Sequence, residues 1–126
     1  MNKEKCPFCT VSYSIINNDL GYVIYDNYPV SSGHILIIPY RHVSDYFELT
    51  DKEKIALQSL LEKSKTLLIN ERKPDGFNIG VNVGAAAGQT VWHVHMHLIP
   101  RYIGDMKNPR GGVRGVIPDK QNYHTK

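Results

Sequence analysis

Hydrophobic positions along the chain change period several times, and each change marks an element. Gly21 to Asp26, GYVIYD, is rich in β-branched and aromatic residues and predicts a strand, followed by a loop from Tyr28 to Gly33. His34 to Pro39, HILIIP, reads as a short buried strand whose ladder stops at Pro39, a residue with no backbone N–H to donate. Thr50-Asp51-Lys52-Glu53 has the spacing of a capping box and predicts a helix start. Ala56, Leu57, Leu60, Leu61, Leu67 and Leu68 recur at helical spacing, so the helix is expected to reach about Asn70 with one apolar face for a sheet. Pro74-Asp75-Gly76 ends it in a turn. Phe77, Ile79 and Val81 alternate with polar or small residues, predicting a strand with one buried face. The loop Asn82 to Gln89, NVGAAAGQ, precedes a last strand from Thr90 to Pro100. Strands outnumber helices and no βαβ alternation runs through the chain, which predicts an α+β fold with an antiparallel sheet.

The last strand carries the candidate chemistry. In WHVHMHLIP, alternation places His93, His95 and His97 on one face and Trp92, Val94, Met96 and Leu98 on the other. At about 3.3 Å per residue, His93 and His97 lie roughly 13 Å apart, too far to ligate one ion at about 2 Å each. The three histidines therefore divide the work. An imidazole titrates at about 6.5, and neighbouring positive charges disfavour its protonation, so at least one ring is expected to be neutral at pH 7 and thus nucleophilic. Gly84, Gly88 and three alanines before the strand would let a phosphate approach backbone N–H groups, with Gln89 and Thr90 as further donors. Against this stands a bland reading, three solvated surface histidines.

Charge and cysteine content narrow the partners. The 126 residues suit one domain, with 41% hydrophobic and 21% charged residues, close to ordinary globular usage. A formal charge of +3, with Lys and Arg spread along the chain, favours a small anionic ligand over nucleic acid. No apolar run approaches the roughly 20 residues of a membrane span, and the start of the chain lacks the apolar core of a secretory signal, so a cytoplasmic protein is expected. Cys6 and Cys9 form a CxxC pair, which in a reducing compartment reads as metal ligands or as a redox motif. A structural zinc site needs two ligands more, for which His42 and one member of the histidine strand are candidates.

HVHMHL at His93 to Leu98 resembles the His-x-His-x-His signature of the histidine triad superfamily of nucleotide hydrolases and transferases. Asp26 to His42, DNYPVSSGHILIIPYRH, is similar to that family's strand-loop-strand ending in Pro-x-x-His, and Asn82 to His93 to its phosphate loop, so the likeness covers roughly residues 6 to 101. It implies an antiparallel sheet of about five strands with one main helix in a single domain over 1–126. A zinc knuckle at 6–9, a C-terminal tail from about 102 to 126 and a homodimer belong to the same picture.

The resemblance also assigns roles. His95 would be the nucleophile attacking the α-phosphorus, His97 would hold the phosphate, and His34 would join the relay behind them. Asn82, Gln89 and Thr90 would contact phosphate oxygens or the leaving group. Asp26 would bind the ribose hydroxyls, and Phe8, Val11 and Ile24 would form the base pocket. Cys6, Cys9, His42 and His93 would hold a structural zinc, and Mg²⁺ would enter only with a polyphosphate substrate. The tail, RGGVRGVIPD from Arg110 to Asp119, is similar to that of bacterial and archaeal members described as dinucleoside polyphosphate hydrolases. Arg101, Arg110 and Arg114 read either as solvated charges or as polyphosphate contacts. The implied activity is release of a nucleoside monophosphate from a dinucleoside polyphosphate or related adenylyl compound. Nucleotidyl transfer or phosphorolysis, and a nucleotide-binding regulator with vestigial catalysis, are the rival readings.

Overall fold

A computed structural model of the chain describes residues 2–123. The last three residues of the expected tail lie outside the described residues. The elements are β1 (Ile16–Asn17), β2 (Gly21–Tyr25), β3 (Ile35–Pro39), α1 (Asp51–Arg72), β4 (Gly76–Val81) and β5 (Met96–Arg101), with several short 3₁₀ turns. The strands form one antiparallel sheet in the order β1-β2-β3-β5-β4. Among the described residues, no helix is long and apolar enough to cross a membrane.

The capping box forms as its spacing predicts: the Glu53 N–H donates to Thr50 Oγ1 at 3.1 Å and the Thr50 N–H donates to the Glu53 carboxylate at 2.9 Å. The same buried carboxylate accepts two bonds from Arg41, at 3.1 and 2.8 Å. That pairing holds the Glu53 carboxyl below its ordinary range. It also ties the segment after β3, which carries His42, to the start of the helix. At the other end Lys73 adopts a left-handed conformation (φ 50°), and its N–H donates to the Leu68 carbonyl. Pro74 follows, so the helix runs two residues past the expected Asn70.

Helix α1 packs on β1, β2, β3 and β5. Leu57, Leu60 and Leu68 meet Val23, Ile35, Ile37, Met96 and Leu98 there, each buried side chain contributing about 1.5–3 kcal/mol of transfer free energy. On the opposite face Tyr22, Ile24, Leu36 and Ile38 form a second cluster, against which Phe8 and Val11 of the N-terminal segment pack. Register places Ile24, Leu36, His97 and Gly80 in one row across that second face, from β2 to β4. This row positions the site.

Two expectations about strands need correction. Strand β5 begins at Met96, not Thr90, because both ladders that flank it end at Met96, one with Ile37 of β3 and one with Val81 of β4. Upstream, the Val94 N–H turns to the Val43 carbonyl at 2.8 Å. Strict alternation therefore fails at 90–95, and His93 is fully buried away from the face that His95 and His97 share. Strand β4 lacks the expected well-buried face: it lies at the sheet edge, and Ile79 remains 49% exposed. Strand β1, two residues long, left no periodic signal to read.

Candidate active site and metal cluster

A cavity of about 360 Å³ lies over the row, within the range of small-molecule sites. Phe8, Ile24 and Leu36 give it an apolar part, Asp26 stands beside them, and Asn82, Thr90, His95 and His97 supply polar groups. Phe8 packs on the His95 ring at a centroid distance of 5.0 Å, so the same aromatic side chain walls the cavity and orients an imidazole.

Hydrogen bonds fix the tautomer of each ring. His95 Nδ1 lies 2.9 Å from the His93 carbonyl, which can only accept, so Nδ1 carries the proton and Nε2 keeps its lone pair. His34 Nδ1 accepts from the Val30 N–H at 3.1 Å, which puts the His34 proton on Nε2. That Nε2–H donates to His97 Nδ1 at 2.9 Å, with Asp26 Oδ2 at 3.5 Å beyond. His97 in its neutral form must then carry its own proton on Nε2, as a donor. Asp26, His34 and His97 also lie close enough to share an ion. The donor–acceptor order through Val30, His34 and His97 makes the trio a proton-ordering relay instead.

Burial, and then the nearby His95 and His34, push the His97 pKa down from 6.5 to about 4. Burial lowers His34 as well, against the pull of Asp26. Between pH 6.5 and about 4 the unfolded chain therefore binds more protons at residue 97 than the folded one, so stability rises with pH through that window and is lost as pH falls. His97→Gln should flatten the loss, by on the order of 2 kcal/mol across the window. Denaturant midpoints at pH 7 and pH 4.5 for both proteins measure it; parallel losses in the two would contradict the assignment.

Cys6, Cys9, His42 and His93 meet on the far side of His95. Cys6 Sγ lies 3.4 Å and Cys9 Sγ 3.5 Å from His93 Nδ1, Cys9 Sγ lies 3.2 Å from His42 Nδ1, and the two Nδ1 atoms are 3.3 Å apart. A tetrahedral zinc with bonds of about 2.3 Å to sulfur and 2.0–2.1 Å to nitrogen would space sulfur and nitrogen at about 3.5 Å and the nitrogens at about 3.3 Å. His93 Nε2 donates to the Pro39 carbonyl at 2.7 Å, which leaves Nδ1 unprotonated and aimed into the cluster. The four side chains form a Cys₂His₂ set that can bind zinc. One backbone carbonyl links the two centres, since His93 is in the cluster and its C=O holds His95.

Phe8, Ile24, Asp26, Asn82, Thr90, His95 and His97 thus meet at one cavity, with His34 just behind. Two expected contacts do not. Gln89 is only 5% exposed; its Oε1 accepts from the Gly84 N–H, and its Nε2 donates to the Ser44 and Val91 carbonyls. Both ends of its amide are thus engaged by backbone groups of this segment and of Ser44. Val11 lies over a neighbouring hollow with Tyr13, Tyr22 and Tyr40. The loop backbone also departs from expectation, because the N–H groups of Gly84, Ala87, Gly88 and Gln89 all donate within the loop. Sequence reasoning missed Leu36, which pairs with both Ile24 and His97; the alternation of HILIIP could have placed it on that face.

An antiparallel sheet that presents two histidines of an HxHxH run to a nucleotide-sized cavity defines the histidine triad class of nucleotide-handling proteins. The family model described as "HIT domain" matches residues 11–104, and the chain belongs to that family. The AP-4-A phosphorylase of Mycobacterium tuberculosis is 37% identical over 92 residues, 72% of this chain and 47% of that protein, so the chain spans about half the length of that relative. A Zn-bound histidine triad family protein from Mycobacterium smegmatis superimposes with a TM-score of 0.75 at 28% identity, covering 85% of this chain and 82% of that one. Plasmodium falciparum diadenosine triphosphate hydrolase does so with a TM-score of 0.69 at 33% identity, covering 74% and 63%. Members of the family are nucleotide hydrolases or transferases.

Proposed function

We propose that the protein is a zinc-containing nucleotide hydrolase that cleaves at the α-phosphate of a dinucleoside polyphosphate or related adenylyl compound. The observation that carries this reading is the tautomer of His95: its Nδ1 proton is held by the His93 carbonyl, so an Nε2 lone pair belongs to a residue lining the cavity. The apolar part at Phe8, Ile24 and Leu36 takes the base, Asp26 the ribose hydroxyls, and His97 Nε2–H, Asn82 and Thr90 the phosphate oxygens.

In the first step the Nε2 lone pair of His95 forms a bond to phosphorus while the bond to the leaving group breaks, its electron pair departing with that group. The Nδ1 proton stays on the ring, against the His93 carbonyl. In the second step water attacks phosphorus, the N–P pair returns to Nε2, and a nucleoside monophosphate and a proton are released. Donors on the phosphate oxygens stabilise charge as it develops in both steps. Cys6, Cys9, His42 and His93 would hold a structural zinc, and His93, through its own carbonyl, orients His95. A homodimer accompanies this reading, since β4 is an edge strand carrying the exposed Ile79.

The second reading, phosphorolysis, is favoured by the likeness to AP-4-A phosphorylase. Diadenosine tetraphosphate in ¹⁸O-water with added inorganic phosphate separates the two: hydrolysis gives ¹⁸O-labelled AMP, phosphorolysis gives ADP that inherits the added phosphate. Unlabelled AMP, or no turnover across a panel of adenylyl compounds, would sink the hydrolase.

A further inference from the structure

Val30 sets the proton order of the site with a backbone N–H, yet the residue is 70% exposed, so packing does not hold it in place. Its placement comes from the turn that follows. The His34 N–H closes this turn on the Ser31 carbonyl at 3.2 Å, and Gly33 in its third position has φ 92°, the sign a type II turn requires there. A Cβ on Gly33 would lie 2.6 Å from Arg72 Cδ and 2.9 Å from Leu68 Cδ2, so the turn sits close against the end of helix α1. Two hydroxyls pin it to the β5 region as well. Ser31 Oγ donates to the Pro100 carbonyl at 2.6 Å, and the hydroxyl of Tyr102, the residue after β5, donates to the Ser32 carbonyl at 2.6 Å.

The two bonds fix different degrees of freedom. Ser31 ties the residue next to Val30 to β5, the strand that carries His97. Tyr102 holds the peptide plane between Ser32 and Gly33, the one that turns over between type I and type II turns. With both released, the turn gains arrangements in which the Val30 N–H no longer faces His34 Nδ1. The consequence is chemical: a neutral imidazole carries one proton, and the hydrogen bonds offered to it choose the nitrogen. Without the Val30 donor, His34 can place its proton on Nδ1 and accept at Nε2. His97 Nδ1 must then donate across the 2.9 Å bond, and His97 Nε2 loses the hydrogen proposed above to hold the phosphate. Asp26 Oδ2 favours the original order as well, but only from 3.5 Å.

We infer that Ser31 and Tyr102 are positioning residues: neither lines the cavity, and they hold the turn whose Val30 N–H sets the tautomer of His34 and, through it, that of His97. Their link to turnover rests on the hydrolase reading. The variant that tests them is Ser31→Ala/Tyr102→Phe, made with ¹⁵N-labelled histidine, whose ring nitrogens report by NMR at pH 7 which of them is protonated. Wild type should show a protonated Nε2 and a bare Nδ1 at both His34 and His97. The double variant should show averaged signals at both, with His95, held by the His93 carbonyl, unchanged. Tyr102→Phe alone, which keeps the ring, should show the same averaging in smaller measure. On diadenosine tetraphosphate, kcat/KM of the double variant should fall about 5-fold, against roughly 100-fold or more for outright loss of a donor to the reacting group. Unshifted His34 and His97 signals in both variants, whatever the change in thermal midpoint, would reduce the two hydroxyls to plain packing and overturn the inference while leaving the hydrolase intact. Averaged signals beside a wild type inactive on every adenylyl probe would uphold the clamp and sink the hydrolase.

Discussion

His95→Ala is expected to abolish turnover and leave the fold in place. The argument starts from the ring's neighbours. Its Nδ1 contact to the His93 carbonyl can be replaced by water, and the Phe8 ring loses one packing partner at the rim of a cavity, so the change in stability should be small. On the proposed mechanism the chemical loss should be large, because the other histidine lining the cavity among the described residues, His97, accepts from His34 at Nδ1 and carries a proton on its remaining nitrogen. Loss of a covalent nucleophile costs on the order of 10⁴-fold or more in kcat. Early-quench mass spectrometry should find an adenylyl adduct on the wild-type peptide around residue 95 and none on His95→Ala, while nucleotide binding by calorimetry stays within about threefold. Residual activity above one per cent of wild type, or an adduct elsewhere, would transfer the nucleophile's role from His95.

His34→Ala separates position from chemistry at the same site. Without the His34 Nε2–H, His97 is free to switch its proton to Nδ1, so the Nε2–H proposed to hold the phosphate is lost in a fraction of molecules rather than removed. The ordering of protons through Val30, His34 and His97 is thus part of the site, although His34 itself is almost completely buried.

What could be read from sequence followed the range of the interaction that decides each feature. The helix start rests on four consecutive residues, Thr50 to Glu53, and formed as spaced. Strands β2 and β3 are continuous apolar runs whose buried state needs only composition. The histidine run misled where partners are non-local: alternation at 93 and 95 presumes a ladder, and no strand lies beside residues 90–95 to supply one. Gln89 looked like a ligand donor because its type suits one, yet its amide is engaged by Gly84 and Val91 nearby and by Ser44, a partner that only the fold brings near. Of the four residues of the Cys₂His₂ cluster, Cys6, Cys9 and His42 were candidates from the sequence itself, whereas the choice of His93 among the three strand histidines needed the family's pattern.

Cys9→Ser is expected to cost the protein its zinc, much of its stability and part of its activity together. Cys9 touches both histidines of the cluster, at 3.2 and 3.5 Å, so serine would remove a soft thiolate from the middle of the set. Metal binding by a site assembled from distant segments is folding free energy, because the unfolded chain cannot gather the ligands. A loss of about 3 kcal/mol, or about 10 °C in thermal midpoint for a domain of this size, is the expected scale. Elemental analysis should give about one zinc per wild-type chain and much less for the variant, and chelation of the wild type should reproduce the shift. The effect reaches chemistry because His93, released from the metal, would no longer hold its carbonyl against His95 Nδ1. Activity should fall in kcat more than in KM, since Leu36, Ile24 and Asp26, proposed above to take the base and ribose, are untouched. A wild type that is free of metal and as stable as Cys9→Ser would refute the site, and a zinc-depleted protein with full kcat would cut the link from the metal to the nucleophile.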